Sequence, residues 1–157
     1  MVRAKGDGVD GTQPDDWGWA TELARQPAWR DLLIAEVPSE GGSWRPIGFM
    51  QFIDPALEDS HYWGDCASDL RAVDIWIGEA DQLGRGHGTV MMRLALARCF
   101  APPKVTAVII DPLLSNAAAL RFYLRLGFEA EGQRDFGADH CMVMRLTRAA
   151  WLALPAA

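Results

Sequence analysis

Three glycines alternate with side-chain-bearing residues at Gly84, Gly86 and Gly88, in the run LGRGHG over residues 83–88. Without side chains, successive backbone N–H groups can turn toward one point, and a helix beginning there adds its own unpaired donors and the positive end of its dipole. The product is an anion nest suited to phosphate. Taken alone, the spacing fits a plain turn as well. Two common phosphate loops are excluded by it: no Lys follows the glycines as GxxxxGK[ST] requires, and the pattern is GxGxG rather than GxGxxG. Three strands also precede the loop, whereas a dinucleotide fingerprint opens its first βαβ unit.

A second group of residues can bind or deprotonate a cation. Residues 71–78 (RAVDIWIG) alternate, with Val73, Ile75 and Ile77 on one face and Asp74, Trp76 and Gly78 on the other. One carboxylate beside one large ring is unusual on a face that is merely buried. Residues 54–70 form a long connection carrying Asp54, Glu58, Asp59, Asp65 and Asp69 with His61, Tyr62 and Trp63. Such connections are often functional, although a solvated surface loop has the same composition. Trp17, Trp19, Trp29, Trp63 and Trp76 can wall a cleft and stack on cations; ordinary packing is the alternative for each. His61, His87 and His140 share no ligand spacing, so no metal is expected, and His87 reads as a solvated loop residue. Cys66, Cys99 and Cys141 form neither a disulfide framework nor a CxxC pair; the last two read as core residues and Cys66 as a loop thiol.

The elements that must position these groups follow from periodicity. Residues 15–25 can form a helix capped by Asp15 or Asp16 and ended by Pro27, after an irregular stretch over 1–14 that reads as disordered. Residues 31–37 and 46–53 read as a hairpin across the turn 39–43, and 71–78 as a third strand. Residues 88–100 read as a helix so apolar around its circumference that protein must cover most of it. Residues 104–110 are rich in β-branched types and read as an interior strand. Ser115 or Asn116 caps a helix reaching Leu126 and closing on Gly127, with Leu120, Phe122, Tyr123, Leu124 and Leu126 as packing. Strands over 128–133 and 141–146, joined by the turn 135–140, complete a mixed α/β layout taken as one domain over residues 15–157.

Composition narrows the function classes. The chain has 157 residues, half of them hydrophobic, which suffices for a core without disulfides or structural metal. A net charge of −6 supplies no basic footprint for nucleic acid. No apolar run approaches a membrane span, and the N-terminus lacks a secretory h-region, so a cytoplasmic location is expected.

The glycine loop together with DPLLSNAAALRFYLRLGF over residues 111–128 resembles the GNAT acetyltransferase superfamily. The loop is similar to the signature [QR]xxGx[GA], and the later stretch to that family's strand, Asn-bearing helix and terminal FYxxxGF. The likeness covers residues 71–146. Within the superfamily, VDIWIGEADQLGRGHGT over residues 73–89 looks most like the aminoglycoside 6′-N-acetyltransferases, which also carry an Asp on the strand and the wording QLGxGxGT. The usual Gln or Arg position is Leu83 here, with Gln82 one residue earlier. The resemblance implies an α/β (α+β) fold with a mixed, mostly antiparallel central sheet flanked by helices. It implies acetyl-CoA as acetyl donor and no metal. Leu83, Gly84, Arg85, Gly86, His87, Gly88 and Thr89 would hold the pyrophosphate; the backbone of Ile75, Trp76 and Ile77 would line the pantetheine; Asn116 would contact the cofactor. Tyr123 would be the general acid at the sulfur, against core packing as its ordinary role.

Asp74 is the candidate base or ammonium anchor, since burial beside an aromatic ring makes a carboxylate a usable base; pairing with Arg71 is the structural alternative. Trp63, Asp65, Asp74 and Trp76 are the candidate acceptor-binding residues. The expected reaction is direct attack of a small cationic amine, such as an aminoglycoside, on the thioester. Acetylation of protein N-termini or of another small amine, and a non-catalytic acetyl-CoA-binding module, are the alternatives. A monomer or a homodimer is expected.

Overall fold

The computed structural model describes residues 25 and 27–155. The expected N-terminal helix and the irregular stretch before it lie outside the described residues, Arg25 apart. Strands β1 (Arg30–Pro38) and β2 (Trp44–Ile53) pair antiparallel across a 3-10 turn at Glu40–Gly42. Strand β3 (Leu70–Ile77) follows the long loop and pairs antiparallel with β2. Helix α1 (His87–Cys99), strand β4 (Ala107–Ile110), helix α2 (Ala117–Arg125), strands β5 (Glu129–Phe136) and β6 (Asp139–Thr147), and a short helix α3 (Arg148–Ala153) complete the order.

The six strands form one sheet in the order β1-β2-β3-β4-β6-β5. All neighbours are antiparallel except β3 and β4, joined by the α1 crossover. The mixed, mostly antiparallel expectation therefore holds.

Each face of the sheet carries a core. On one face, Met50, Phe52, Val73, Ile75, Val108, Ile110, Met144 and Leu146 pack under α1 and α2, which contribute Met91, Met92, Ala95, Leu96, Ala119 and Tyr123. On the other, Ile53, Leu70, Ala72, Ala107 and Ile109 are covered by Trp63 of the long loop and Phe136 of β5. Alternation along β3 thus divides as its sequence requires, with Val73 and Ile75 buried beneath the helices.

Four expectations need correction. Helix α1 is not covered all round: Val90 and Leu94 are 59% and 60% exposed. Only the flank carrying Met91, Met92, Ala95 and Leu96 meets the sheet, and one layer of helices leaves the opposite flank in solvent. Leu124 of α2 is exposed for the same reason. The fourth strand is shorter than the apolar run, because its ladder with β3 and β6 begins only at Ala107; buried Val105 precedes it as an irregular lead-in. The last hairpin is longer, its strands meeting at Phe136 and Asp139 across a two-residue turn in which Gly137 takes a φ of 62°. Helix α3 was not anticipated; Thr147 caps it by accepting the Ala150 N–H at 3.1 Å.

Candidate active site

The glycine loop sits at the seam between β3 and α1. Gly84 and Gly86 have φ of 73° and 85°, a region that favours glycine. Gly86 is the N-cap of α1 and offers no side-chain acceptor there. The first helix bonds run from the N–H groups of Thr89 and Val90 to the Gly86 carbonyl. The amides before them face out of the helix start, at the positive end of its dipole. A phosphate fits this arrangement by hydrogen bonding and by charge.

The loop is braced from behind. Arg45 of β2 pairs with Glu79 and, at 2.8 Å, with Asp81. Hydrogen bonds from Arg45 and then Gln82 hold the Asp81 carboxyl down at about 2. Gln82 is buried; its amide donates to Asp81 at 2.7 Å, and its oxygen lies 3.1 Å from His87 Nε2. His87, the first residue of α1, is therefore half-buried in a brace rather than a solvated loop residue. Leu83 is exposed, and the glutamine one place earlier does the bracing.

Beside the loop, β3 and β4 part. Their pairing covers only Leu70, Arg71 and Ala72, opposite Ala107, Val108 and Ile109, while β3 continues to Ile77. Which amides face the gap follows from alternation. The Trp76 carbonyl points toward β2, where a Cβ built on Gly48 would lie 2.0 Å from it, and the Gly78 amide bonds the Ile47 carbonyl. The intervening residues Ile75 and Ile77 thus turn their N–H and C=O groups toward the β4 side, where no ladder continues.

On the sheet face away from α1 lies a cleft of about 290 Å³. Its floor is Gln51 and Asp74, cross-strand partners on β2 and β3, with Ile53 and Ala72 next along the strands. Trp29, Tyr62 and Trp63 supply aromatic walls, and Glu58 and Asp111 bring two more carboxylates. Asp111 follows β4 directly, is 4% exposed, and accepts the Tyr62 hydroxyl at 2.8 Å. Glu58 accepts the amides of Ser60 and Tyr62 at 2.9 and 2.8 Å, and the Ser60 hydroxyl. Burial pushes the Glu58 carboxyl up, but these hydrogen bonds outweigh it and hold the group below its ordinary value.

The long loop is thus an ordered wall of the cleft. Arg71 pairs with Asp54 at 3.0 Å where the loop begins, and Thr106 bonds Asp69 at 2.6 Å where it ends. Arg71 is in this way committed to Asp54, away from the pairing with Asp74 considered above.

The sequence-predicted residues divide between places. Asp74 and Trp63 share the cleft; Asp65 lies beyond Trp63 in a neighbouring cavity with Cys66, Glu131, Arg134 and Arg145. Trp76 lies farther along the Asp74 face, edge-on to Phe49 at 5.7 Å and folded over Gly78. Asn116 uses its side-chain oxygen to cap α2, accepting the Ala119 N–H at 3.0 Å. Tyr123 is 6% exposed between Phe122 and Phe128. Burial first, and then the charge of Asp74, push its phenol up, so it stays protonated at neutral pH. Cys99 and Cys141 are core residues, and burial raises the Cys66 thiol. No His, Cys, Asp and Glu group suited to a metal occurs among the described residues. Glu58 and Tyr62 were legible only as members of the acidic connection over 54–70, and Gln51 and Asp111 were not singled out as site residues. For Asp111 the only hint was its place directly after the apolar strand over 104–110.

Residues 21–136 match the family described as the acetyltransferase (GNAT) domain. Over 89 residues the chain is 37% identical to an aminoglycoside N(6′)-acetyltransferase type 1 of Klebsiella pneumoniae, covering 55% of this chain and 44% of that protein. It thus spans less than half the length of that relative. Over 77 residues it is 36% identical to a kanamycin resistance protein of Rhizobium radiobacter, covering 48% of this chain and 71% of that protein. The aminoglycoside acetyltransferase AAC(6′)-Ib, solved in complex with coenzyme A and kanamycin, superposes with a TM-score of 0.67 at 30% identity, over 78% of this chain and 69% of that one. A family match across most of the chain, a sheet that opens beside a glycine-capped helix, and relatives with the same layout lead to one assignment: the chain belongs to the GNAT acetyltransferase family.

Proposed function

We propose that this protein is an acetyl-CoA-dependent N-acetyltransferase acting on a primary amine of a small, multiply cationic acceptor of the aminoglycoside type. The observation that carries this reading is the cleft in which Asp74, Glu58 and Asp111 gather among Trp29, Tyr62 and Trp63, on the strand that leads into the glycine loop. Carboxylates and aromatic faces together recognise ammonium groups. The relatives named for aminoglycosides and the coenzyme A complex support the same acceptor and donor.

Acetyl-CoA, when bound, supplies the activated thioester. The amides of residues 85–89 would hold its pyrophosphate and the open edge of β3 its pantetheine, with Asn116 at the start of α2 close behind. Asp74 attracts the acceptor ammonium and takes its proton, so that the neutral amine can attack. The Ile75 or Ile77 amide, facing the gap, donates to the carbonyl oxygen as negative charge gathers on it. Tyr123 donates a hydrogen bond to the departing sulfur. Its raised phenol gives up the proton only uphill, so in this reading it solvates the thiolate, and solvent completes the protonation. Holding amine and thioester together supplies much of the remaining rate.

Thiol release from acetyl-CoA, followed with kanamycin, ribostamycin, spermidine and a short peptide, tests the proposal. Turnover with the aminoglycosides that falls about a hundred-fold or more in Asp74→Asn is expected. Turnover with the peptide alone, or with none of these amines at high enzyme, overturns it.

A further inference from the structure

We propose that Gln82 is a positioning residue of the donor site: clasped to His87 across the glycine loop, it holds that loop in the conformation that receives the acetyl-CoA pyrophosphate. The inference rests on the donor reading above and adds to it a residue that acts through the loop.

The loop has little to hold it from within. Leu83, Gly84, Arg85 and Gly86 are all exposed. Gly84 and Gly86 are left-handed, and a Cβ built on either would meet nothing within 4 Å. Two glycines in four residues open many conformations to such a segment, few of which bring its amides to one point. The ends, by contrast, are fixed. Gln82, immediately before, is 7% exposed, and His87, immediately after, is half-buried and opens α1. Gln82 Oε1 and His87 Nε2 meet at 3.1 Å and close the four residues into a small ring. Closing a loop before its ligand arrives removes an ordering cost that binding would otherwise carry.

Hydrogen-bond chemistry sets the sense of this clasp. Arg45 of β2 donates to both oxygens of Asp81, at 2.8 and 2.9 Å, so that carboxylate acts as an acceptor. The Gln82 amide therefore turns its NH2 toward Asp81, at 2.7 Å, and its oxygen toward His87. His87 Nε2 must then be the donor. One polarity runs from the β2 guanidinium to the first residue of α1, and it ties the loop to the strand that pairs with β3. Arg45 and Asp81 are open to solvent, where an ion pair is readily replaced by water. Gln82 is buried, so its loss is the one that water compensates least.

Calorimetric titration of acetyl-CoA into the wild type, Gln82→Ala, His87→Ala and the double variant tests the clasp without any acceptor. Losing the hydrogen bond and the closure it provides is expected to raise Kd about three- to ten-fold in each single variant. The double variant should bind no more than about two-fold more weakly than the weaker single one, because both changes open the same ring. His87→Gln, which returns an N–H donor, should recover the wild-type Kd within about two-fold. In thiol-release assays with kanamycin, Gln82→Ala should raise KM for acetyl-CoA while kcat changes less than about two-fold. An unchanged Kd in Gln82→Ala, multiplicative losses in the double variant, or no recovery in His87→Gln would overturn the positioning role and leave the proposed function standing. A wild type that binds no acetyl-CoA removes the proposed function, and this inference with it; one that binds it but acetylates none of the amines removes the acceptor reading alone. Melting temperatures separate a binding loss from a folding loss. Should Gln82→Ala be mainly unfolded, the His87 pair decides: equal Kd values for His87→Ala and His87→Gln would overturn the role.

Discussion

Gly86 and Gly48 are both glycines for backbone reasons, yet the reasons differ and so do the expected effects of replacing them. At Gly86 the chain is left-handed, and an added Cβ would face open space. Gly86→Ala should therefore fold, with a loss of about 1 kcal/mol for the left-handed conformation. If the loop holds the pyrophosphate as proposed, it should also weaken acetyl-CoA binding, because the loop backbone must change to relieve the left-handed conformation. At Gly48 an added Cβ would lie 2.0 Å from the Trp76 carbonyl oxygen, so β2 and β3 would have to move apart. Gly48→Ala should be the more destabilising change, by about 1–3 kcal/mol or beyond, as overpacking is. Urea unfolding of both variants with calorimetric acetyl-CoA titration checks this. Equal stability losses, or undiminished acetyl-CoA affinity in Gly86→Ala, would contradict the account of these two positions.

Within the long loop between β2 and β3, which Asp54 and Asp69 tie down at its ends, one carboxylate organises the middle. Glu58 gathers Ser60 and Tyr62 around itself, and through Tyr62 the loop reaches Phe136 and Asp111. Because the Glu58 carboxyl is held below its ordinary 4.5, its contribution to stability is complete above about pH 4.5 and fades as pH falls through the lowered value. Glu58→Gln removes the charge at every pH. The stability gap between wild type and Glu58→Gln, of the order of 1–2 kcal/mol near neutrality, should therefore shrink as the medium is taken from about pH 5 toward about pH 3. Urea unfolding across that range reads the gap. A gap that is constant with pH would contradict a stabilising role for the ionised Glu58 carboxylate.

Among the described residues, one sheet separates two cores, and α1 and α2 cover one of its faces. The consequence is an uneven tolerance to substitution along α1. Leu96 is fully buried against the sheet, whereas Leu94, two residues earlier, is 60% exposed. Leu96→Ala is expected to destabilise by about 2–5 kcal/mol, and Leu94→Lys by no more than about 0.5 kcal/mol. Comparable losses from the two would mean that something covers the outer flank of α1 in solution. Helix α3 closes the other end of the same core: Trp151 stacks on Phe100 at 6.1 Å, and Leu154 packs over Gly127.

Much of the layout was legible because it is local. Alternation placed Val73 and Ile75 under the helices and Asp74 on the opposite face, as β3 shows. Glycine spacing located the turn from that strand into α1, and Asn116 announced the start of α2 by its capping chemistry. Strand and helix periods are set by hydrogen bonds among near neighbours, so a single sequence carries them. The cleft is a different matter. Asp111 reaches Tyr62 only because β4 inserts between β3 and β6, and the open edge of β3 exists only because β4 leaves it after Ala72. The exposure of Val90 and Leu94 depends likewise on α1 meeting the sheet with one flank only, no second layer lying over it among the described residues. Strand order and layer coverage are choices among distant segments, made by the total burial they achieve. The sequence by itself determined the glycine loop and the strand face that carries Asp74; tertiary structure decided which carboxylates and rings would stand opposite them.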